Sequence, residues 1–494
     1  MKSCIVIGGG LGGLVTGALL AKEGYRITVL EKNAIIGGGL QTFKRNGVNF
    51  PTGMHVFGGF NQGENLHKIF SYLGVMDKIS LCPTDDKASD VVTFGADGKT
   101  YRLPKGKGNY IQYLTAEFPE EKENIKAYIG RLFEISQEED LFYLRESAPE
   151  SRFSALSEDF TIPYNELIDK YITNHRLKEL LGYLQPLFGG KEGMTPAFLN
   201  ALPSVLHING TCQFVGGSQQ LAEALKTVIE KCGGQVLSNE EVVGIGVENQ
   251  MVTKVSTRNG NTYFADSYIS DIHPQVLLRV IDEGAFSTAF KKRMNSIPES
   301  ASSFKVYVKF KEKAFPYLNH ANYFIDNQKN WPERLFYVTP PIAYQGDFAE
   351  TMVIISEMGF EQVRRWEHTQ TGHRGKDYEQ WKQEMMEKVI KKMENLHPGF
   401  REAIEFSLSA SPLTIRDYYG NKEGSNYGFQ KDSHNLMLSQ MSVFTKVKNL
   451  FLTGQNVNIH GLCGVSLTAI ETAEALVGHN VIVHKINNFW LSHP

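Results

Sequence analysis

The sequence predicts an α/β fold in which a parallel sheet begins at the first residues of the chain. Residues 4–7 form a short apolar run, which is typical of a buried strand. A glycine-rich stretch follows at 8–13, and the next residues show a helix pattern that Gly24 would end. A second strand pattern over 26–30 leads to Glu31. Strand, helix and strand within about 30 residues indicate a βαβ unit.

The glycines of this unit are spaced as a dinucleotide site requires. Gly8, Gly10 and Gly13 fit the pattern GxGxxG, with Leu11 among them where the helix is expected to begin, and we count all four as contacts. The first glycine permits a tight turn, the second lets a pyrophosphate approach the backbone, and the third lets the helix pack on the strands. Glu31 is placed to accept a hydrogen bond from a ribose, which favours NAD or FAD over a 2′-phosphorylated nucleotide. A purely structural glycine turn is the alternative, and the register of the whole unit argues against it.

Length and composition limit the class of protein. A chain of 494 residues exceeds the size of one hydrophobic core, so we expect at least two domains. Hydrophobic residues make up 41% and charged residues 21%, which is ordinary for a globular protein. The formal net charge of −3 gives no basic excess, so we expect no nucleic-acid partner.

The cysteines and the apolar runs bear on location. Five scattered cysteines form no CxxC pair, so we predict neither a metal site nor a redox dithiol, and reduced thiols fit a cytoplasmic protein. The first residues lack the apolar region of a signal peptide, and no run of about 20 apolar residues predicts a membrane helix. Peripheral membrane contact and the oligomeric state stay open.

The residues after Glu31 carry a family resemblance. A second glycine cluster at 37–39 is followed by Asn-Gly at 46–47, Phe50 and Thr-Gly-Met-His at 52–55. This string resembles the extended FAD fingerprint of the flavin amine oxidase and carotenoid desaturase superfamily. It is most similar to the branch that holds the retinol saturases, the carotenoid isomerases and the bacterial phytoene desaturases.

Other regions resemble the same branch. Residues 214–221 are similar to its Gly-Gly-x-x-x-Leu helix start, 235–243 to the strand that meets the adenine, 270–274 to a strand exit beside the cofactor, and 449–469 to its closing FAD motif. The resemblance implies FAD as the cofactor and, beyond the first motif, the following contacts: Lys32, Gly38, Gly39, Leu40, Met54, His55, Val242, Ser270, Gly454, Gln455, Gly464 and Val465. Three positions depart from the family pattern and put single contacts in doubt: Leu40 where a basic residue is frequent, Pro51 where an acid is common, and Gln455 where Asp or Glu is common.

The resemblance also implies a discontinuous organisation. We expect a Rossmann-like FAD/NAD(P)-binding domain of the glutathione reductase type, with a parallel sheet and a β-meander, built from 1–75, 205–290 and 440–494. An inserted α+β substrate domain would comprise 76–204 and 291–439.

Aromatic residues are frequent in the first insertion. They fit ordinary core packing, and they also fit the lining of an apolar tunnel. The set is Tyr128, Phe133, Phe142, Tyr143, Phe153, Phe160, Tyr164, Tyr171, Tyr183 and Phe188. A helix pattern near 377–396 carries an apolar stripe and several lysines, and packing on its own domain is favoured over an interfacial membrane helix.

The branch implies an FAD-dependent oxidoreductase that acts on carbon–carbon double bonds of an isoprenoid or polyene substrate by hydride transfer through flavin N5. His55 and His460 are the candidate proton-handling residues, and a structural role is the alternative for each. NAD or NADP stays open as the electron donor or acceptor. The rival functions are a redox-neutral carotenoid isomerase, an oxygen-using amine or protoporphyrinogen oxidase, and a non-catalytic flavin-binding protein.

Overall fold

The computed structural model of the protein describes residues 1–147, 156–326, 330–343 and 346–493. A parallel sheet of five strands begins at the first residues of the chain, because the apolar run after Met1 and Lys2 is buried from residue 4 onward. In spatial order its strands are Leu450–Leu452, Ser267–Ser270, Ser3–Ile7, Arg26–Leu30 and Gln235–Leu237.

Helices cover this sheet. Leu11–Lys22 follows the first strand directly, and its residues 11–21 are buried. It packs against Gln219–Lys231 on one side and against Gly461–Val477 on the other. The second strand of the sheet begins at Arg26, after Gly24 with its left-handed φ of 83°, as the sequence predicts.

An antiparallel meander extends the first part of the fold. Its strands are Val242–Glu248, Met251–Thr257 and Thr262–Tyr263. The sequence runs 251–257 and 262–269, with Asn-Gly at 259–260 between them, predict a β-hairpin, and the hairpin forms with a shorter second strand than expected. Only Thr262–Tyr263 pairs in the hairpin, because Ser267–Ser270 pairs with the first strand of the parallel sheet instead.

The second large sheet has seven strands. In spatial order they are Ile404–Ala410, Ser302–Phe310, Thr351–Met358, Arg334–Val338, Ala321–Ile325, Asp90–Phe94 and Thr100–Leu103. All neighbours are antiparallel except Ala321–Ile325 and Asp90–Phe94, which run parallel.

Alternation along Ser302–Phe310 gives this sheet two different faces. Phe304, Val306 and Val308 share a core with helix Lys376–Leu396. Lys305 and Tyr307 therefore lie on the opposite face. The apolar residues of Lys376–Leu396 are buried within the protein, so the helix packs on its own domain, which was the favoured interpretation.

Two short strand pairs and further helices complete the described chain. The pairs are Thr42–Arg45 with Val48–Pro51, and Leu81–Pro83 with Cys212–Phe214. The remaining helices are Asn65–Leu73, Lys107–Glu117, Lys122–Gln137, Glu158–Thr161, Tyr164–Tyr171, His175–Leu181, Phe198–Asn209, Pro274–Val280, Thr288–Ser296, Phe400–Ala403, Pro412–Tyr419, Leu436–Ser439 and Val481–Ser492.

The predicted α/β class with a parallel sheet, a meander and an α+β part is confirmed. The strands of the parallel sheet fall inside 1–75, 205–290 and 440–494, and the domain bounds themselves stay a prediction. Within the described residues no single helix has the length and apolarity to cross a bilayer. Two consecutive helices meet these length and apolarity criteria only when they are taken together, and a 115° bend separates them: Gly461–Val477 and Val481–Ser492.

Candidate functional site

A cavity of about 710 Å³ lies between the two large sheets. On one side it is lined by the carboxyl ends of the parallel strands, represented by Ile7 and Leu30. On the other side it is lined by Tyr323, Phe336 and Ile355 of the seven-stranded sheet. The carboxyl ends of parallel strands are the usual ligand site of α/β folds.

The first glycine motif forms one wall of this cavity. Gly8 has a φ of 104°, a conformation that side chains rarely adopt, and Gly8, Gly10 and Leu11 line the cavity. Gly13 lies behind them: a Cβ there would stand 2.2 Å from the Gly8 carbonyl oxygen, so the helix could not pack so closely. These positions match the roles that the motif predicts.

Glu31 is buried at the cavity wall and held by two backbone amides. Its Oε2 accepts a hydrogen bond from the Gly9 amide at 2.8 Å, and its Oε1 accepts one from the Asn33 amide at 2.8 Å. A carboxylate oxygen can accept a second hydrogen bond, so each retains capacity for a ribose hydroxyl.

Asp271 was not among the expected contacts; it follows the strand Ser267–Ser270 and places its carboxyl group at the start of the helix Leu11–Lys22. A Cβ on Gly10 would stand 2.7 Å from its Oδ2, and one on Gly454 would stand 2.3 Å from its Oδ1. Burial raises the pKa of the Asp271 carboxyl group to about 7. A carboxyl group therefore stands where the helix N-terminus would receive a phosphate.

The contacts expected from the family resemblance converge on the same cavity, with two exceptions. The residues that line it are Lys32, Gly38, Gly39, Leu40, Met54, His55, Val242, Gln455, Gly464 and Val465. Gly454 lies behind this surface with a φ of 89°, and Ser270 is buried with no hydrogen-bond partner for its Oγ within the described chain. The closing motif at 449–469 leads us to expect a helix that starts near Gly464, and the helix Gly461–Val477 begins three residues earlier. Their roles as cofactor contacts stay predictions.

His55 is buried with both ring nitrogens unpaired. Neither Nδ1 nor Nε2 has a hydrogen-bond partner within the described residues. Burial and the neighbouring charge of Lys305 lower the pKa of His55 to about 3, so the imidazole is neutral at physiological pH. Unpaired buried nitrogens cost free energy, which a ligand in the cavity would recover.

His460 immediately precedes the last long helix and also lines the cavity. Its ring packs on Tyr427 with centroids 4.7 Å apart. Burial and the charge of Lys431 lower the pKa of His460 to about 4. Both candidate histidines are therefore poor proton donors near neutral pH.

Lys305 is the second residue that the sequence analysis missed. It lies on the cavity face of the strand Ser302–Phe310, and its side chain is buried. Its Nζ donates a hydrogen bond to the Thr52 carbonyl oxygen at 2.7 Å. Burial lowers the pKa of Lys305 to about 8, which leaves it mainly protonated at neutral pH. A lysine inside a strand of alternating apolar residues is the sequence signal that could have revealed it.

The rest of the cavity is mainly apolar. Of the aromatic residues in the first insertion, Phe142, Tyr183 and Phe188 line it. Tyr128, Phe160 and Tyr164 are instead buried core residues, and Phe153 lies outside the described residues. Leu199, Leu202 and Leu206 of one helix add aliphatic surface to the same chamber.

These features fit a flavin dinucleotide. Gly8, Gly10 and the start of the helix Leu11–Lys22 form a glycine cradle that would hold a pyrophosphate, and Glu31 would hold a ribose. The two unpaired ring nitrogens of His55 could form hydrogen bonds with a further group of the ligand. Within the described residues, no three His, Cys, Asp or Glu side chains are grouped to hold a metal ion.

Comparison with known proteins agrees with this geometry. The family model described as flavin containing amine oxidoreductase matches residues 11–477. The human all-trans-retinol 13,14-reductase is 24% identical, over 97% of this chain and 86% of its own length. A chloroplastic prolycopene isomerase from an Oncidium hybrid cultivar is also 24% identical, over 97% of this chain and 83% of its own.

A solved structure shows the fold. Cyclohexylamine oxidase from Brevibacterium oxydans superposes with a TM-score of 0.62 at 13% identity, over 98% of this chain and 99% of its own. The relatives lie in the branch that the sequence motifs resemble, and the family implies FAD as the cofactor. The chain belongs to the flavin containing amine oxidoreductase family.

Proposed function

We propose that the protein is an FAD-dependent oxidoreductase that acts on a carbon–carbon double bond of an apolar isoprenoid or polyene substrate. One observation carries the proposal: the glycine cradle and the apolar, aromatic-lined chamber belong to a single continuous cavity. Such a chamber suits a conjugated hydrocarbon, because conjugation spreads developing charge and few polar groups are needed. The names of the reductase and isomerase relatives support the same substrate class.

The residues of the cradle would hold the cofactor. Gly8, Gly10 and the first helix would bind the pyrophosphate, Glu31 the adenosine ribose, and the first turn of the helix Gly461–Val477, which contains Gly464, would face the flavin. Bound FAD supplies hydride chemistry at flavin N5, and the protein contributes position and electrostatics.

Reduction of a double bond also requires a proton at the neighbouring carbon. His55 and His460 were the candidates from the sequence, but their pKa values of about 3 and about 4 leave them neutral. Lys305 is the better acid in the same cavity, because its pKa of about 8 keeps its side chain protonated at neutral pH and is close enough to neutral pH for the proton to be released. We therefore assign proton donation to Lys305, and hydrogen bonding to the bound cofactor or substrate to His55.

The proposal also covers the electron donor and contact with a membrane surface. NAD or NADP would supply the electrons as a diffusible co-substrate. An apolar substrate partitions into lipid, so peripheral membrane contact fits the chemistry. Vesicle sedimentation of the purified protein would test that contact.

The experiment is a visible spectrum of the purified protein, followed by anaerobic reduction with dithionite or NADPH and addition of a substrate. We expect flavin bands that bleach on reduction and return with all-trans-retinol or a carotene. Flavin bands that return with oxygen but not with polyenes would support an amine or protoporphyrinogen oxidase. Isomerised product without loss of reductant would support the isomerase, and flavin that no donor reduces would support a non-catalytic protein.

A further inference from the structure

A buried polar cluster interrupts the apolar wall of the cavity. Its centre is Asp90, which is 2% exposed and begins the strand Asp90–Phe94. Three cavity-lining residues surround it, namely His207, Tyr183 and Tyr323. Asp90 itself is not part of the cavity surface, so it acts on the cavity only through these three side chains.

Two of the three are fixed by hydrogen bonds to the Asp90 carboxyl group. His207 Nδ1 lies 3.1 Å from Asp90 Oδ2, and the Tyr183 hydroxyl donates to the same oxygen at 3.1 Å. A carboxyl group facing Nδ1 places the imidazole proton on that nitrogen and leaves Nε2 as an acceptor. His207 thus offers a hydrogen-bond acceptor to the cavity.

Tyr323 supplies the complementary donor. Its hydroxyl is buried beside Asp90 but makes no well-directed hydrogen bond within the described residues. Burial and the Asp90 charge raise its pKa well above the usual value, so the phenol keeps its proton. The Asp90 carboxyl group is a poorly aligned acceptor for this phenol and is already shared with Tyr183 and His207, so a ligand that offers the Tyr323 O–H a better-directed acceptor is favoured.

A row of neighbouring rings, in tilted and edge-to-face contact, joins this cluster to the glycine side of the cavity. The His55 and Phe336 ring centroids are 6.2 Å apart, those of Phe336 and Tyr323 are 5.3 Å apart, and those of Tyr323 and Tyr183 are 4.8 Å apart. All four residues line the cavity. An elongated apolar molecule along this row would have one end at His55 and the other at the cluster.

We propose that this cluster is a subsite for a neutral hydroxyl group at the end of an elongated apolar substrate, an inference that rests on the proposed function. A hydroxyl group both accepts and donates, so it matches the Tyr323 donor and the His207 acceptor together. A carboxylate end group has no proton to donate to the His207 acceptor and would be repelled by the charge of Asp90 behind these side chains, and a hydrocarbon end would leave both polar groups unpaired. His207 and Tyr323 would contact the hydroxyl group, and Asp90 and Tyr183 are positioning residues for this contact.

Arg334 offers a competing subsite for a carboxylate end group. It also lines the cavity, and its Nη1 is buried without a hydrogen-bond partner within the described residues. Burial raises the pKa of Glu357 on the neighbouring strand, and the positive charge of Arg334 opposes that rise. The Arg334 guanidinium group therefore already has a carboxyl group of the protein near it. The geometry therefore favours the hydroxyl subsite.

The test is equilibrium binding to the full chain with its flavin oxidised, which separates binding from turnover. The probes are all-trans-retinol, its deoxy analogue that ends in a methyl group, and all-trans-retinoic acid, each followed by its own absorbance or fluorescence. The variant is Tyr323→Phe. The control is Tyr128→Phe, which removes a buried hydroxyl bonded to Asn200 outside this cavity.

We expect the wild-type protein to bind the alcohol about 10-fold more tightly than the deoxy analogue, and Tyr323→Phe to abolish that ratio while Tyr128→Phe keeps it. Equal wild-type affinity for alcohol and deoxy analogue, tighter binding of the acid, or an unchanged ratio in Tyr323→Phe would overturn the proposal. Failure to reduce any polyene would overturn the proposed function and would leave this binding ratio measurable.

Discussion

Burial and the ammonium group of Lys305 together lower the pKa of His55 to about 3, although His55 lies in the loop after the strand Val48–Pro51 and Lys305 lies in the strand Ser302–Phe310. The two residues have different chemical roles in an otherwise apolar cavity. His55 stays neutral and can only exchange hydrogen bonds, whereas Lys305 carries a transferable proton. The assignment of the proton donor follows from this difference.

Replacing Lys305 is expected to slow product formation and to change its pH dependence. In the wild-type protein, a donor with a pKa of about 8 is protonated below that pH, so the rate should fall as pH rises through about 8. Lys305→Met should lower the rate at neutral pH about 100-fold or more and remove this fall. Anaerobic stopped-flow reoxidation of the reduced protein by a polyene measures both effects.

The matched control is Lys309→Met on the same strand. Lys309 forms an ion pair with Glu350 at 3.3 Å and does not line the cavity. Its loss should leave rate and profile unchanged. A Lys305→Met protein with bound flavin and a wild-type profile would exclude Lys305 as the donor.

Replacing His55 should give a different pattern. Because its pKa of about 3 lies far below the working range, His55→Asn should keep the fall of the rate near pH 8. The loss of its ring nitrogens should instead shift the visible bands of the bound flavin or weaken substrate binding. Disappearance of the alkaline fall in His55→Asn would show that the histidine, and not the lysine, sets the profile.

The affinity for FAD should depend on pH through Asp271. Its raised pKa of about 7 means that the carboxyl group binds a proton below that pH and is charged above it. The charged form would repel a pyrophosphate at the same helix N-terminus, so the dissociation constant of FAD should rise between about pH 6 and 8.

Asp271→Asn should tighten FAD binding at pH 8 and flatten the pH dependence, as measured by fluorescence titration of the flavin-free protein. Glu31→Gln is the comparison, because it removes a ribose acceptor and should weaken binding at every pH. A wild-type affinity that does not change with pH would contradict the placement of Asp271 against the phosphates.

The sequence predicts the start of the fold because its signals there are local. The second strand lies at 26–30 as expected, and Gly8 has the left-handed backbone that its place in the motif requires. The second strand of the hairpin expected at 262–269 is shorter for a long-range reason, since Ser267–Ser270 pairs with the strand Ser3–Ile7 at the beginning of the chain.

The polar residues of the site were harder to predict than the glycines. Asp90 and His207 are 117 positions apart in the sequence, and only the packing of a helix on the seven-stranded sheet brings them together. Asp271 lies inside a motif that resembles a cofactor contact, but its position over Gly10 and Gly454 depends on the register of three parallel strands. Motif spacing does not contain that information.

The central claim is that hydride and proton are added across a carbon–carbon double bond of an apolar polyene. The most direct measurement is an anaerobic single turnover, in which the reduced protein is mixed with all-trans-retinol and the product is analysed by mass spectrometry. The account predicts one product molecule with two added hydrogens for each flavin reoxidised. Flavin that stays reduced while the polyene keeps its mass would contradict it.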